Sequence, residues 1–479
     1  MFFPLYNVFV YEINFTTIDS VLKVFLICMF HIIKKNVFGR IMIKSLLKGT
    51  LILTITGLIT RIIGFVYKIY LSNILGAANL GIYQLVFPVF GVCYTMFGAG
   101  IQTAVSQMIA AKAEDINYQK KVFTRAAILS LLTALLLGFI ICLKCDFIAC
   151  SLLGEPKCAD SLRVLVYAFP LCGISSCVNG CYYGLKKATV PALTQLIEQI
   201  ARVAFVVAAA CFIALGNPDK LCIYAVLGIA VGEGVSMLYS IVMIITYYHG
   251  MEYKKTYVSE SIYRPLLKMS APLTANRLTV ALLHSVETIL IPVMLKKHGM
   301  SSDNALSVYG VLTGMAMPFI LFPSTITNSL SVLLLPTISE VNEDNARIKK
   351  ISGLCIGGTI LLGVVSTFIF LIFGADLGSF VFHDDTVGTF IEILSFLCPF
   401  LFLTTTLSSI INGLGKTHIT FVITVIGLAI RIFITIKTVP SQGISGYLIS
   451  LLVSQLIVTG LSYKCYRRLI FKKRRDAAA

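Results

Sequence analysis

Arg61 and Lys68 lie inside an apolar run, "TRIIGFVYKIY" at 60–70, spaced so that a helix puts both cations on one face. A cation in hydrocarbon is costly unless it meets an acid or a water-filled cavity. Arg277 raises the same question further along, for no acidic residue lies one helical turn from it. Glu287 follows it by several turns, one turn beyond His284 and just before Thr288; it either binds a coupling proton or sodium ion or balances Arg277. Glu233 is a second intramembrane anion open to a coupling role. Glu198 and Arg202 stand one turn apart and read as a structural pair. Arg202 and Arg431 fall toward the outer halves of their helices, where binding of headgroups or capping of a neighbouring helix is open; a structural charge is the expectation for both. For Lys68, near a helix end, snorkelling to the interface competes with a binding role.

The remaining inventory excludes more than it offers. Acids, histidines and serines show no hydrolase, nucleotide or metal spacing, and no cofactor is expected. Cys142 and Cys145 form a C-x-x-C with Cys150 and Cys158 nearby. Free cysteines acting as small hydrophobes are the expectation there, ahead of zinc or a disulfide.

The elements that position these charges must be membrane helices. The chain is 57% hydrophobic and 13% charged, about half the charge of a soluble domain, so lipid is its solvent. The net charge of +17 suggests nucleic acid at first sight, yet the cations are scattered over short loops between apolar runs. About twelve spans are expected, the first at 49–71 and the last at 443–464, giving an all-α polytopic membrane protein. Loop Lys and Arg favour one side by about three to one, which puts both termini in the cytoplasm. Residues 1–41 fit poorly: "VLKVFLICMFHII" is short, charge-broken and lacks a signal-peptide cleavage site. They are expected to be a peripheral extension or the product of a start codon set too far upstream.

The chain also repeats itself. At one constant offset Pro170 meets Pro399, Gly184 meets Gly413, Lys187 meets Lys416 and Arg202 meets Arg431. A looser echo pairs 104–114 with 331–341. The expected organisation is an N-terminal six-helix bundle at 42–250, a C-terminal one at 251–466, and a basic cytoplasmic tail at 467–479. Two halves with a site between them is a common transporter plan, and a monomer is then the expected working unit.

Thr60, Arg61, Gly64, Phe65 and Lys68 resemble the first-helix pattern of lipid II flippases, and the stretch 46–90 resembles the stage V sporulation protein B group. Both belong to the multidrug/oligosaccharidyl-lipid/polysaccharide exporter superfamily. The resemblance implies two pseudo-symmetric bundles around a central cavity, with the first helix lining it. It implies flipping of a lipid-linked glycan, an undecaprenyl-pyrophosphate peptidoglycan or polysaccharide precursor, with membrane lipids as surroundings. Arg61, Lys68 and Arg277 would then meet the pyrophosphate. Glu287-Thr288 stands where relatives often have Asp-Thr. Many members carry two helices beyond the twelfth; this sequence reaches Ala479 without them, so no lipid-tail groove of that kind is expected. A cation-coupled multidrug exporter on the same fold would favour acidic and aromatic cavity residues instead. A membrane glycosyltransferase would need catalytic acids or metal-binding loops that the short loops do not supply.

Overall fold

Among the described residues, long apolar runs broken by glycine, proline and short charged loops fold into helices alone. The computed structural model describes residues 46–212, 217–249, 262–340 and 345–476; the expected extension at 1–41 lies outside them. In chain order the helices are α1 (Leu46–Tyr94), α2 (Gly100–Ala111), α3 (Ile116–Phe147), α4 (Cys158–Leu165), α5 (Ala168–Gly184), α6 (Thr189–Phe212), α7 (Pro218–His249) and α8 (Tyr263–Lys297). They continue with α9 (Ser302–Gly310), α10 (Met317–Leu321), α11 (Ser324–Glu340), α12 (Asn345–Leu377), α13 (Asp385–Ser395), α14 (Cys398–Gly413), α15 (Thr417–Gln442) and α16 (Ile444–Asp476). Residues from Ile52 onward form one compact unit. The segment 467–476, expected as a tail, continues α16 as helix.

Among the described residues, nine helices are long and apolar enough to cross a membrane, and eleven when each bent pair is one span. The first candidate, Ile55–Ala111, has 57 residues. That is far longer than the roughly 20 a bilayer needs. It breaks at Gly76 (φ 71°, ψ 167°), a left-handed conformation that glycine adopts without Cβ strain. Two crossings therefore come from this one stretch, in agreement with the expected twelve. The bent pairs, α4 with α5 (42°) and α13 with α14 (52°), break just ahead of Pro170 and Pro399. A proline in the first turn of a helix lacks only an N–H that would have no partner there.

The repeat in sequence is a repeat in backbone. Long α3, a π-helical turn (Ile148–Leu152), short α4, then α5, α6 and α7 is one series. Long α12, a π-helical turn (Gly378–Phe382), short α13, then α14, α15 and α16 is the other. The exit from α5 uses Lys186 in the left-handed region (φ 57°); the repeat mate after α14 is Gly415 (φ 75°). Gly184 packs against Ser106 O and Ile109, and Gly413 against Leu335 O and Ile338. The first-half contacts reappear in the second at the same offset as Pro170 and Pro399. The looser echo of 104–114 with 331–341 is thus two residues out of structural register.

Lipid-facing sides are bare. On α3, Leu132, Leu136, Phe139 and Leu143 are each about 60% or more exposed. A run of that size suits hydrocarbon and would be untenable in water. Inside, hydroxyls bridge helices: Ser130 Oγ donates to Phe97 O (2.6 Å), and Thr359 and Thr406 share a bond of 2.9 Å. The halves meet where small residues let backbones approach. A Cβ on Gly81 would come within 2.3 Å of Leu306 O, and one on Gly310 within 2.0 Å of Ala77 O.

Candidate functional site: charged groups between and within the halves

Three cations lie along α1 and α8, the helices that meet the opposite half. On α1, Arg61, Phe65 and Lys68 share a face by their spacing. Phe65 packs edge-on against Phe319 and at a tilt against Phe322 of the second half, both at 4.8 Å between ring centroids. Gly64, next to it, faces Gln199 of α6 at 3.4 Å from an added Cβ. Arg61 is exposed and Lys68 half-buried, and neither has an ion pair or hydrogen bond among the described residues. Arg277 on α8 donates from Nη1 to Ala99 O at 2.6 Å. Ala99 closes a π-helical turn, Thr95–Ala99, a widened turn of the kind often found at functional positions. The close crossing is permitted by Gly100, whose added Cβ would lie 1.9 Å from Thr274 Oγ1. No acid meets Arg277 among the described residues, and no contact there joins it to Arg61 or Lys68.

The other charges neutralise one another inside their own halves. Arg202 Nη2 donates to Glu198 Oε1 in a short bond. Glu233 of α7 lies within electrostatic reach of Glu198 and Arg202 and beside the Cys172 thiol. Tyr67 and Tyr83 also face Arg202. Two carboxylates thus share one guanidinium. Arg202 Nε and the Tyr67 hydroxyl are buried without a hydrogen-bond partner among the described residues.

In the second half, Glu287 Oε1 accepts from Arg431 Nη1 and from the Tyr447 hydroxyl, both at 3.0 Å. Its Oε2 lies 3.5 Å from His284 Nδ1, and Arg431 Nε donates to Ser454 Oγ at 2.8 Å. Glu287 does not balance Arg277: its counter-charge is Arg431. Arg202 and Arg431 act as structural charges, as expected, but through ion pairs and not through headgroup binding or helix capping. With only 15% of each side chain exposed, each holds a carboxylate of its own half, Glu198 partly exposed and Glu287 buried. Tyr447 and Ser454 were not singled out from sequence. They lie far along the chain from Glu287, and only packing of α8, α15 and α16 joins them.

At one end of the bundle, ion pairs cross between halves. Lys296 Nζ donates to Gly154 O (2.6 Å) and lies 3.2 Å from Glu155, itself almost wholly buried. Ser302 Oγ donates to the same carboxylate, and Lys157 pairs with Asp303 at 3.1 Å. The cysteines of this region, Cys142, Cys145, Cys150 and Cys158, are all free thiols. Arg163 Nε contacts Cys145 Sγ at 3.2 Å.

Twelve crossings in two repeated bundles are the architecture of a multi-pass membrane transporter of the exporter superfamily. A family model described as polysaccharide biosynthesis protein matches residues 46–342, and a second, MatE, matches 278–436. The chain belongs to the polysaccharide biosynthesis protein family. Among curated relatives, stage V sporulation protein B of Bacillus subtilis is 26% identical over 442 residues, covering 87% of this chain and 82% of that one. Lipid II flippase MurJ of Bacillus subtilis is 23% identical, covering 88% and 85%. Among solved structures, the inward-facing conformation of a multidrug resistance MATE family transporter of the MOP superfamily superposes with a TM-score of 0.69. It shares 15% identity, with 89% of this chain and 99% of that one covered. Two of these three are named for transport, one as a flippase and one as a transporter.

Proposed function

We propose that this protein is a flippase for a lipid-linked glycan precursor carrying a pyrophosphate, working in the cytoplasmic membrane with both termini cytoplasmic. One observation carries the reading. Arg61, Lys68 and Arg277 stand on the helices that face the opposite half with no acidic partner among the described residues, while Arg202 and Arg431 are matched by carboxylates within their bundles. A pyrophosphate dianion cannot cross hydrocarbon bare, and a cation-lined hydrated path between the bundles lowers that barrier. Arg61 and Arg277 can each donate two parallel hydrogen bonds to phosphate oxygens; Lys68 adds a point charge. Likeness to a lipid II flippase and to a sporulation protein supports a cell-wall precursor as cargo.

Transport then alternates between two packings of the bundles 42–250 and 251–466. The pairs Lys296–Glu155 and Lys157–Asp303 act as the gate at one end. Glu233, the carboxylate left over beside the Glu198–Arg202 pair, is the group proposed to take up the coupling proton or cation. Glu287, already held by Arg431 and Tyr447, serves as an internal counter-charge. A cation-coupled drug exporter on this fold would place acids, rather than Arg61 and Lys68, on the face toward the partner bundle.

The test is delivery of lipid-linked precursor to the outer leaflet in cells depleted of their own flippases. At matched expression, Arg61→Ala should abolish delivery and Arg61→Lys should retain part of it, because lysine keeps the charge and loses the fork. Glu233→Gln should leave the protein folded and remove the dependence of delivery on the ion gradient. Wild-type delivery by Arg61→Ala would overturn the substrate assignment, and unchanged ion dependence in Glu233→Gln would overturn the coupling role.

A further inference from the structure

A recess of about 390 Å³ opens between the first turns of α3 and the last turns of α7. Its polar end holds Lys120 and Tyr248, with His249 at the rim; its apolar end holds Phe123, Ile244 and Ile245. The Lys120 ammonium lies 5.4 Å from the centre of the Tyr248 ring. The Tyr248 hydroxyl is buried and has no hydrogen-bond partner among the described residues. A buried hydroxyl left without a partner is uncommon and calls for one. Tyr248 is held in place by Tyr247 (5.2 Å between rings), which packs in turn on Tyr182 and carries Lys187 over its face at 4.5 Å. Beyond the recess the walls are lipid-facing. Leu238, Val242 and Ile245 form an exposed stripe on α7, and Ile128, Leu132 and Leu135 one on α3.

We infer that this recess binds one anionic phospholipid of the surrounding leaflet, its phosphodiester accepting from the Tyr248 hydroxyl and paired with Lys120. Charge and shape both favour that occupant. A cation, a donor without a partner and an imidazole converge at one end, and two apolar stripes run from it along the helices as acyl chains would. None of the groups belongs to the Arg61, Lys68 and Arg277 set, so the lipid is a bound companion of the N-terminal bundle and not the cargo.

Native mass spectrometry of the full chain, released from nanodiscs of phosphatidylcholine with a minor share of phosphatidylglycerol, tests this. Wild type should retain one phosphatidylglycerol in preference to phosphatidylcholine. Tyr248→Phe, which keeps the ring and its packing, and Lys120→Ala should each weaken that retention about tenfold, the loss of roughly one charge-assisted contact. Each variant must also melt with wild type in pure phosphatidylcholine, which shows that the fold is intact. Three results would overturn the inference: retention unchanged in both variants, equal protection by inorganic phosphate, or displacement of the phosphatidylglycerol by an equimolar polyprenyl phosphate. The last would give the recess to a carrier lipid.

Discussion

Glu287 and Arg431 show how an ionisable pair is kept inside a membrane bundle. Carboxylate and guanidinium are 6% and 15% exposed, and a phenol and a hydroxyl take up further bonding capacity. Removing one partner of such a pair leaves the other as an uncompensated charge, a loss of about 3–5 kcal/mol. Arg431→Ala should therefore lower the melting temperature in detergent strongly. The double change Glu287→Gln with Arg431→Met should recover much of that loss, because no charge is then stranded. Equal melting of wild type and Arg431→Ala would mean that the pair contributes nothing to the bundle. The Arg61 side chain differs in kind: with no partner among the described residues to strand, its replacement should alter transport far more than melting.

At the scale of elements, the exits from α5 and α14 form a natural comparison. Both turn through a left-handed residue, Lys186 in one and Gly415 in the other. A side chain in that region costs about 1–2 kcal/mol, and glycine avoids it. Lys186→Gly should stabilise the protein by about 1 kcal/mol and Gly415→Ala should destabilise it by a similar amount, read as opposite shifts in melting temperature. Nothing lies within 4 Å of a Cβ at Gly415, so strain of the backbone and not a clash is what that variant would report. A fall in stability for Lys186→Gly would instead give the lysine side chain a role of its own, next to Lys187, whose ammonium lies over the Tyr247 ring.

At the scale of the whole molecule, the halves are held together at one end by Glu155, Lys296, Ser302, Lys157 and Asp303, close to the crossing of Gly81 with Gly310. Loosening that end should shift the population toward the other packing, and a few kcal/mol decides such an equilibrium. Cys158 provides the readout, since it is fully buried beside this cluster. In a background with Cys142 and Cys150 changed to serine, Lys296→Ala should speed labelling of Cys158 by a membrane-impermeant maleimide. The reversed pair Lys296→Glu with Glu155→Lys should bring the rate back toward wild type. Labelling at the wild-type rate in Lys296→Ala would show that these bonds do not hold the gate.

Much of this was legible in the residue order, because lipid imposes a period and a length on every crossing. Hydropathy and the constant offset from Pro170 to Pro399 determined the helices, their number and the division into two related bundles. The cost of a lone cation in hydrocarbon marked Arg61 and Arg277, and local spacing paired Glu198 with Arg202. Tertiary structure alone decided that Glu287 answers Arg431, that Arg277 rests on the Ala99 carbonyl, and that Lys296 closes on Glu155. Periodicity fixes which face of a helix a residue occupies. The partner that face meets depends on how separate helices cross, and sequence spacing carries no record of that crossing.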